Sequence, residues 1–239
     1  MKKLTLIAVG AIFLVTYNSS SSFAGSGNSA GVDSRISSAE TQLTKGTTDL
    51  TLNVVPAAGI GQLAIADVMS YNGSKPTITG PDGWQLIRDD YTETTRQSLY
   101  WHTIEAEDPT TVSWTFSEPV DAQGAILLLD SATSNAPVGM TSGNTNTGSL
   151  TWLTAKSVAT ASAGDLIIAF YATDFWGEGL GPTLPEEMDA VVNQEAASHQ
   201  YWILASSQSQ SGSTQDAVCP TPQLFNWVAA QVAIKQGAL

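Results

Sequence analysis

The sequence predicts an all-β fold, an antiparallel β-sandwich or jelly roll built from two similar halves, and three observations predict it. First, the second half echoes the first. Gly61-Gln62-Leu63-Ala64-Ile65-Ala66 returns as Gly164-Asp165-Leu166-Ile167-Ile168-Ala169, and Ser98-Leu99-Tyr100-Trp101 returns as Ser198-His199-Gln200-Tyr201-Trp202. The offset stays between about 101 and 106 residues, as expected of one supersecondary unit used twice. Second, apolar residues alternate with polar ones in short runs and nowhere form a sustained helical stripe at i, i+3, i+4, i+7. Third, turn chemistry interrupts these runs every 8 to 15 residues or so, the spacing of a sandwich.

Reading in order, Lys2 and Lys3 precede the apolar run Leu4 to Val15, and Ser22-Phe23-Ala24 supplies the small residues of a cleavage site. Residues 1–24 therefore read as a secretory signal peptide. The run is shorter than the ~20 residues of a spanning helix. No later stretch reaches that length either, so no membrane insertion is expected. Residues 25–47 are polar and Ser/Gly-rich, a flexible leader with room for one edge strand at its end.

The first β half is residues 48–130. Its strands are read at Leu50-Leu52-Val54, Leu63-Ile65 in a run reaching Tyr71, Trp84-Leu86 and Ile87, Leu99-Trp101 and Ile104, Val112-Trp114-Phe116 and Ile126 to Leu129. The breaks are placed at Ala58-Gly59, Asn72-Gly73, Pro81-Asp82-Gly83, Asp108-Pro109 and Glu118-Pro119. Residues 131–150 form a polar connector. The second half, residues 151–239, has strands expected near 152–160, 165–173, 188–194, 199–207, 214–218 and 226–235. Each half alone is small, so shared packing of the halves into one sandwich is expected.

Several first-half motifs stand together: Pro81-Asp82-Gly83-Trp84-Gln85-Leu86-Ile87-Arg88-Asp89, Leu99-Tyr100-Trp101-His102, Ser113-Trp114-Thr115-Phe116 and Gly124-Ala125-Ile126-Leu127. This set resembles a β-sandwich module that recurs in bacterial secreted and surface proteins and in phage tail-associated proteins. The resemblance spans roughly residues 48–235, with Pro185-Glu186-Glu187-Met188 replacing the Pro-x-Gly-aromatic turn in the second half. It implies an extracellular, surface-associated or adhesion-type role and carries no catalytic residues.

The composition excludes some partners. Formal net charge is −13, and removal of residues 1–24, which hold two lysines and no acid, moves it to −15. Nucleic acid demands a basic footprint, so it is not an expected partner. A single cysteine, Cys219, rules out a disulfide framework within the chain. It reads as a small apolar residue, an intermolecular disulfide being the sharper alternative.

The recognised enzyme constellations are missing. There is no Gly-x-Ser-x-Gly elbow, no His-Glu-x-x-His, no phosphate loop and no cysteine pair for zinc. The two histidines, His102 and His199, read as hydrogen-bonded or surface residues. Carboxylates cluster at Asp89-Asp90 with Glu93, at Asp174 with Glu178, and at Glu186-Glu187 with Asp189. Oxygen clusters of this kind suit calcium, and Asp89, Asp90 and Glu93 are the candidate ligands, with no other cofactor expected. Of the seven tryptophans, Trp84, Trp101, Trp114, Trp202 and Trp227 read as structural. Trp176 differs, because Asp174-Phe175-Trp176-Gly177-Glu178-Gly179 is a glycine-flanked loop joining an aromatic platform to carboxylates. Asp174, Trp176 and Glu178 are the candidate ligand contacts, with a sugar ring as the expected ligand.

The leading expectation is thus a secreted or periplasmic, non-enzymatic binding or adhesion-type protein whose partner is a glycan or a surface protein. One alternative is a structural subunit of an extracellular assembly, with self-association. The other is a polysaccharide hydrolase using loop carboxylates.

Overall fold

The computed structural model describes residues 34–237, apart from 55–57, 73–74, 131, 133–135, 149, 175–182, 197–198 and 225. The expected signal peptide, most of the expected leader, and Trp176 and Glu178 lie outside the described residues. Every element among the described residues is a strand, sixteen in all, and every pairing is antiparallel. No helix there is long and apolar enough to cross a membrane.

The first half holds β1 (Ile36–Glu40), β2 (Thr44–Asn53), β3 (Leu63–Tyr71), β4 (Ile78–Thr79), β5 (Gln85–Tyr91), β6 (Thr95–Thr103) and β7 (Thr111–Leu129). A wide sheet runs β1-β7-β3-β6-β5. The early part of β7 leaves that sheet and pairs instead with β2 and β4 in a second layer. Glu118-Pro119, expected to break the chain, sits inside β7 where the strand passes from one layer to the other. The register against β2 jumps there, between the pairs Asp49↔Thr115 and Thr47↔Val120. A proline is tolerated at such a bulge because no ladder hydrogen bond is required of it.

The second half holds β8 (Val138–Asn146), β9 (Leu150–Ala155), β10 (Ala159–Thr160), β11 (Leu166–Asp174), β12 (Asp189–Ala196), β13 (His199–Ser207), β14 (Gly212–Ser213), β15 (Ala217–Leu224) and β16 (Asn226–Ile234). Its wide sheet runs β8-β16-β11-β13-β12, with β9 and β15 in a second layer. The two wide sheets correspond strand for strand. The ladder Leu63↔Thr103 to Tyr71↔Thr95 matches Leu166↔Ser207 to Asp174↔His199. Tyr100-Trp101 on β6 and Tyr201-Trp202 on β13 thus lie on equivalent strands but three residues out of register, since Trp101 pairs with Ile65 and Trp202 with Tyr171, the counterpart of Val68.

The local chemistry matches as well. Gly61 and Gly164, two residues before β3 and β11, both have φ +88°, a region that only glycine enters freely. The N–H of Gly61 donates to the Ile104 carbonyl at 2.8 Å, and that of Gly164 to the Gln208 carbonyl at 2.7 Å. The turn before β5 is closed by Trp84 N–H to Pro81 O at 3.3 Å, and the turn before β12 by Met188 N–H to Pro185 O at 3.1 Å. In the first, Gly83 has φ +83°. The second dispenses with a positive φ, so Glu187 can replace the glycine.

The halves do share a core, and each also closes its own outer layer, which makes four layers instead of one two-layer sandwich. Strand alternation explains how. Leu63, Ile65, Met69 and Tyr71 of β3 face the central core, while Ala64, Ala66 and Val68 face the outer core under β2. In β11, Leu166, Ile168, Phe170 and Ala172 face the centre, while Ala169 and Tyr171 face the outer core under β9 and β15. Both central strands are buried along their whole length, so both faces read apolar.

Across the centre β5 lies against β8, β1 against β12, and β3 against β11. Because β5 corresponds to β12 and β1 to β8, the contacts exchange as in an isologous pair, giving a pseudo-twofold relation between the halves. A fully buried Leu, Ile or Phe contributes about 1.5–3 kcal/mol, and a hydrogen bond such as Gln42 to Gln194 at 3.0 Å about 1 kcal/mol. Apolar burial therefore holds the halves together, and the polar ties set their alignment.

Two sequence boundaries shift. Residues 36–40 and 44–47, read as leader, are strand, and residues 138–146, read as connector, form β8. Strand β8 is the edge of the second wide sheet, with mostly half-buried small and polar residues. Its composition reads as loop because it packs against Arg88 more than against an apolar core.

Candidate functional site

Strands β3 and β11 end side by side, and the polar residues at their ends converge. Asp174 is the last residue of β11, buried and not in an open loop as its sequence suggested. Its Oδ2 accepts a hydrogen bond from Thr94 Oγ1 at 2.9 Å, and Asn226 Nδ2 donates to that same hydroxyl at 2.7 Å. Thr94 belongs to the first half and Asn226 to the second, so the carboxylate is tied across the boundary. Trp176 and Glu178 follow this anchored residue in sequence and lie outside the described residues.

Opposite Asp174 in the ladder stands His199, which is 1% exposed. Its ring stacks on Tyr71 with centroids 4.1 Å apart and planes inclined by 4°. Its Nδ1 lies 3.5 Å from Asp174 Oδ1, and its Nε2 lies 3.8 Å from Asp121 Oδ2. Asp121 is itself oriented by Gly46 N–H at 3.0 Å and by Asn72 Nδ2 at 2.9 Å. Deeper in the central core, Asp67 is fully buried with one oxygen accepting from Gln97 Nε2 at 3.1 Å and the other unpartnered. Burial pushes its carboxyl well above the usual range, against a smaller lowering by Gln97. The Tyr71 and Tyr201 hydroxyls are likewise pushed up, mainly by burial.

The expected calcium ligands are not brought together. Asp89 and Asp90 are consecutive on β5 and project to opposite faces. Asp89 Oδ1 accepts from Arg96 Nε at 2.8 Å and from Ser98 Oγ at 2.7 Å. Asp90 accepts from Arg88 Nε at 2.5 Å and Nη2 at 2.7 Å. Glu93 is exposed in the turn that follows. Two arginines thus take the charge a cation would neutralise, and among the described residues no group of three acids, histidines or cysteines is placed to hold a metal. Glu186 and Glu187 are exposed in the Pro185–Met188 turn.

The remaining singled-out residues have structural partners. His102 stacks on Trp84, with Nε2 2.7 Å from Asp108 Oδ2 and Nδ1 3.1 Å from the Gly83 carbonyl, fixing the turn before β5. Burial acts to raise the Asp108 carboxyl, but the Glu105 N–H and the His102 ring outweigh it and hold that carboxyl low. Cys219 is fully buried in the outer core, and burial raises its thiol to about 12. That suits the apolar reading, since a buried, protonated thiol is inert. Trp114, Trp202 and Trp227 are core residues.

Trp152 was not singled out by sequence and is 52% exposed. It lies on the outer face of β9 opposite Pro220, beside the exposed Val218 of β15. Its signal was parity: Leu153 and Ala155 are the inward residues of β9, so Trp152 must point out. A groove of about 400 Å³ lies at the far end of β11, lined among others by Met140, Thr160, Asp165 and Lys235. Asp165 is already used there, accepting from Ala161 and Ser162 N–H at 3.0 Å each. No protein-family model matches the chain, and neither a characterised protein nor a solved structure matches it.

Proposed function

We propose that the protein is an exported, non-enzymatic binding module of adhesion type that engages a glycan or another cell-surface ligand at the end where β3 and β11 finish. The observation that carries this reading is the anchoring of Asp174, which stands two residues before Trp176 in sequence. A buried strand end tied by Thr94 and Asn226 across two halves is a rigid base for a binding loop, the usual division of labour between scaffold and loop. Support for a binding role over hydrolysis comes from the carboxylates: Asp89 and Asp90 are each paired with an arginine. His102 is taken up by Asp108 and the Gly83 carbonyl, and His199 is buried.

The test is Trp176→Ala in the full chain, assayed on a glycan array and on whole cells. Binding should weaken while unfolding free energy stays within about 1 kcal/mol of wild type, as for a loop residue outside the core. Unchanged binding, or loss of the fold, overturns the assignment of this loop.

A further inference from the structure

The outer layer of the second half differs from its counterpart in a way that its core does not require. In the first half the outward residues of β2 and early β7 are polar, Asp49, Thr51 and Asn53 beside Thr111, Ser113 and Thr115. The Thr51 and Ser113 hydroxyls there bond each other at 2.7 Å. On β9 and β15 the outward row reads Trp152 beside Pro220, Thr154 beside Val218, and Lys156 beside Asp216. Trp152 and Val218 are exposed, as is Pro220. Apolar residues gathered on an open face mark an interaction surface. The edges of this strand pair are already used. The Thr154 carbonyl accepts from Asn144 Nδ2 at 3.0 Å and the Lys156 carbonyl from Ser142 Oγ, both of β8. On the other side the Pro220 carbonyl accepts from Thr183 N–H at 3.0 Å. A strand from another chain would find these acceptors taken, so the layer offers its face and not its edge.

We propose that this face is a platform for a neutral oligosaccharide, with Trp152 stacked on one pyranose ring and the Lys156–Asp216 pair bonding hydroxyls further along the sugar chain. Three observations select this occupant. The apolar part is Trp152, Val218 and Pro220, whereas a stable protein interface takes about 800 Å² and 20–30 residues from each partner. The net charge of −13 opposes a second copy of the chain and any anionic polymer. The polar part is set in place: Asp216 Oδ2 accepts from Lys156 Nζ at 2.8 Å and Oδ1 from Ser157 N–H at 2.9 Å. Both side chains stay open to solvent. A pyranose carries C–H groups on its faces and hydroxyls at its rim, which suits an aromatic face followed by a charged pair. Lys156 comes four residues after Trp152, about 13 Å along an extended chain, a span that takes more than one sugar ring. The inward Leu153 and Ala155 fix the strand that carries Trp152, so little ordering is left to binding. The platform rests on the reading above for its ligand class and uses none of its residues.

The test follows the tryptophan indole N–H signals of the full chain by ¹H–¹⁵N NMR, with Trp152→Thr and Trp176→Ala assigning their own signals. The probes are cellotriose, maltotriose and triacetylchitotriose, with glucose and N-acetylglucosamine as their single rings. The Trp152 signal should shift saturably with at least one trisaccharide, and about tenfold more weakly with the matching single ring. Trp152→Thr gives β9 an outward residue of the type β2 carries and should lower trisaccharide affinity about tenfold, as for loss of an aromatic anchor. Lys156→Ala should weaken the trisaccharide and leave the single ring unchanged. A wild-type Trp152 signal that no trisaccharide moves overturns the platform, whether or not the variants fold. Equal affinity for a trisaccharide and its single ring overturns it as an extended site. A shift at Trp176 alone overturns the platform and leaves the Trp176 assignment standing, and a shift at Trp152 alone does the reverse. If the chain sediments as a dimer that Trp152→Thr separates, the occupant is a second copy and the saccharide proposal falls.

Discussion

Gly143 of β8 lies directly beneath the guanidinium of Arg88 of β5, across the boundary between the halves. A Cβ at position 143 would fall on Nη2 of the arginine and come within 2.6 Å of Asp90 Oδ1. The arginine is not free to move aside, because it is bidentate to Asp90 and also reaches Thr141 Oγ1 at 3.3 Å. Gly143→Ala is therefore expected to destabilise the protein by about 1–3 kcal/mol, the usual cost of overpacking. Arg88→Ala in the same chain should relieve part of that loss, since residues in contact couple non-additively. Denaturant unfolding of the single and double variants measures the coupling, and additive effects would separate the two residues.

Gly61 and Gly164 provide a cleaner backbone experiment. Both have φ +88°, and a Cβ at either would meet nothing within 4 Å. The cost of alanine is then conformational alone, about 1–2 kcal/mol at each site. Similar losses for Gly61→Ala and Gly164→Ala, adding in the double variant, are the expected result in chemical denaturation.

Asp67 sets a pH dependence of opposite origin to an acid-labile ion pair. Burial raises its carboxyl well above 3.8, so the folded protein keeps a proton that the unfolded chain releases above the ordinary value. Stability from this group therefore falls as pH rises from about 4, by up to about 1.4 kcal/mol per pH unit. Asp67→Asn removes that loss. Calorimetry should show the asparagine variant gaining on wild type between pH 4 and pH 7, with little difference at pH 3. A constant difference across the range would mean the carboxyl is ionised in the folded state.

The strands were legible because alternation encodes them, whereas the four layers were not, since one shared sandwich was expected. Leu50-Leu52-Val54 alternates as a strand with one buried face, and the unbroken run from Leu63 to Tyr71 has two. Residues were misread where a distant partner decides the outcome. Glu118-Pro119 has turn chemistry, yet β7 continues through it because β2 and β3 pair with its two ends in different layers. Asp174 looks like a loop acid, and only the fold places Thr94 and His199 beside it. The chain from Val138 to Asn146 offers few apolar residues, since the side chain it accommodates is an arginine from the other half. The segment with Trp176 and Glu178 was read as a loop from its composition, and of that reading only Asp174 lies within the described residues.

The pseudo-twofold relation also bears on what the interface is free to become. Between two separate identical chains, each interface side chain appears twice, so a new charge is introduced at two places at once. Joining the halves in one polypeptide removes that constraint and holds the faces together at the high effective concentration of a tether. The matching positions have in fact parted company: Asp67 stands where the other half has Phe170, Tyr71 where it has Asp174, and Thr95 where it has His199. The placing of His199 between Asp121 and Asp174 accordingly occurs once, with Thr95 at the matching position of the other half.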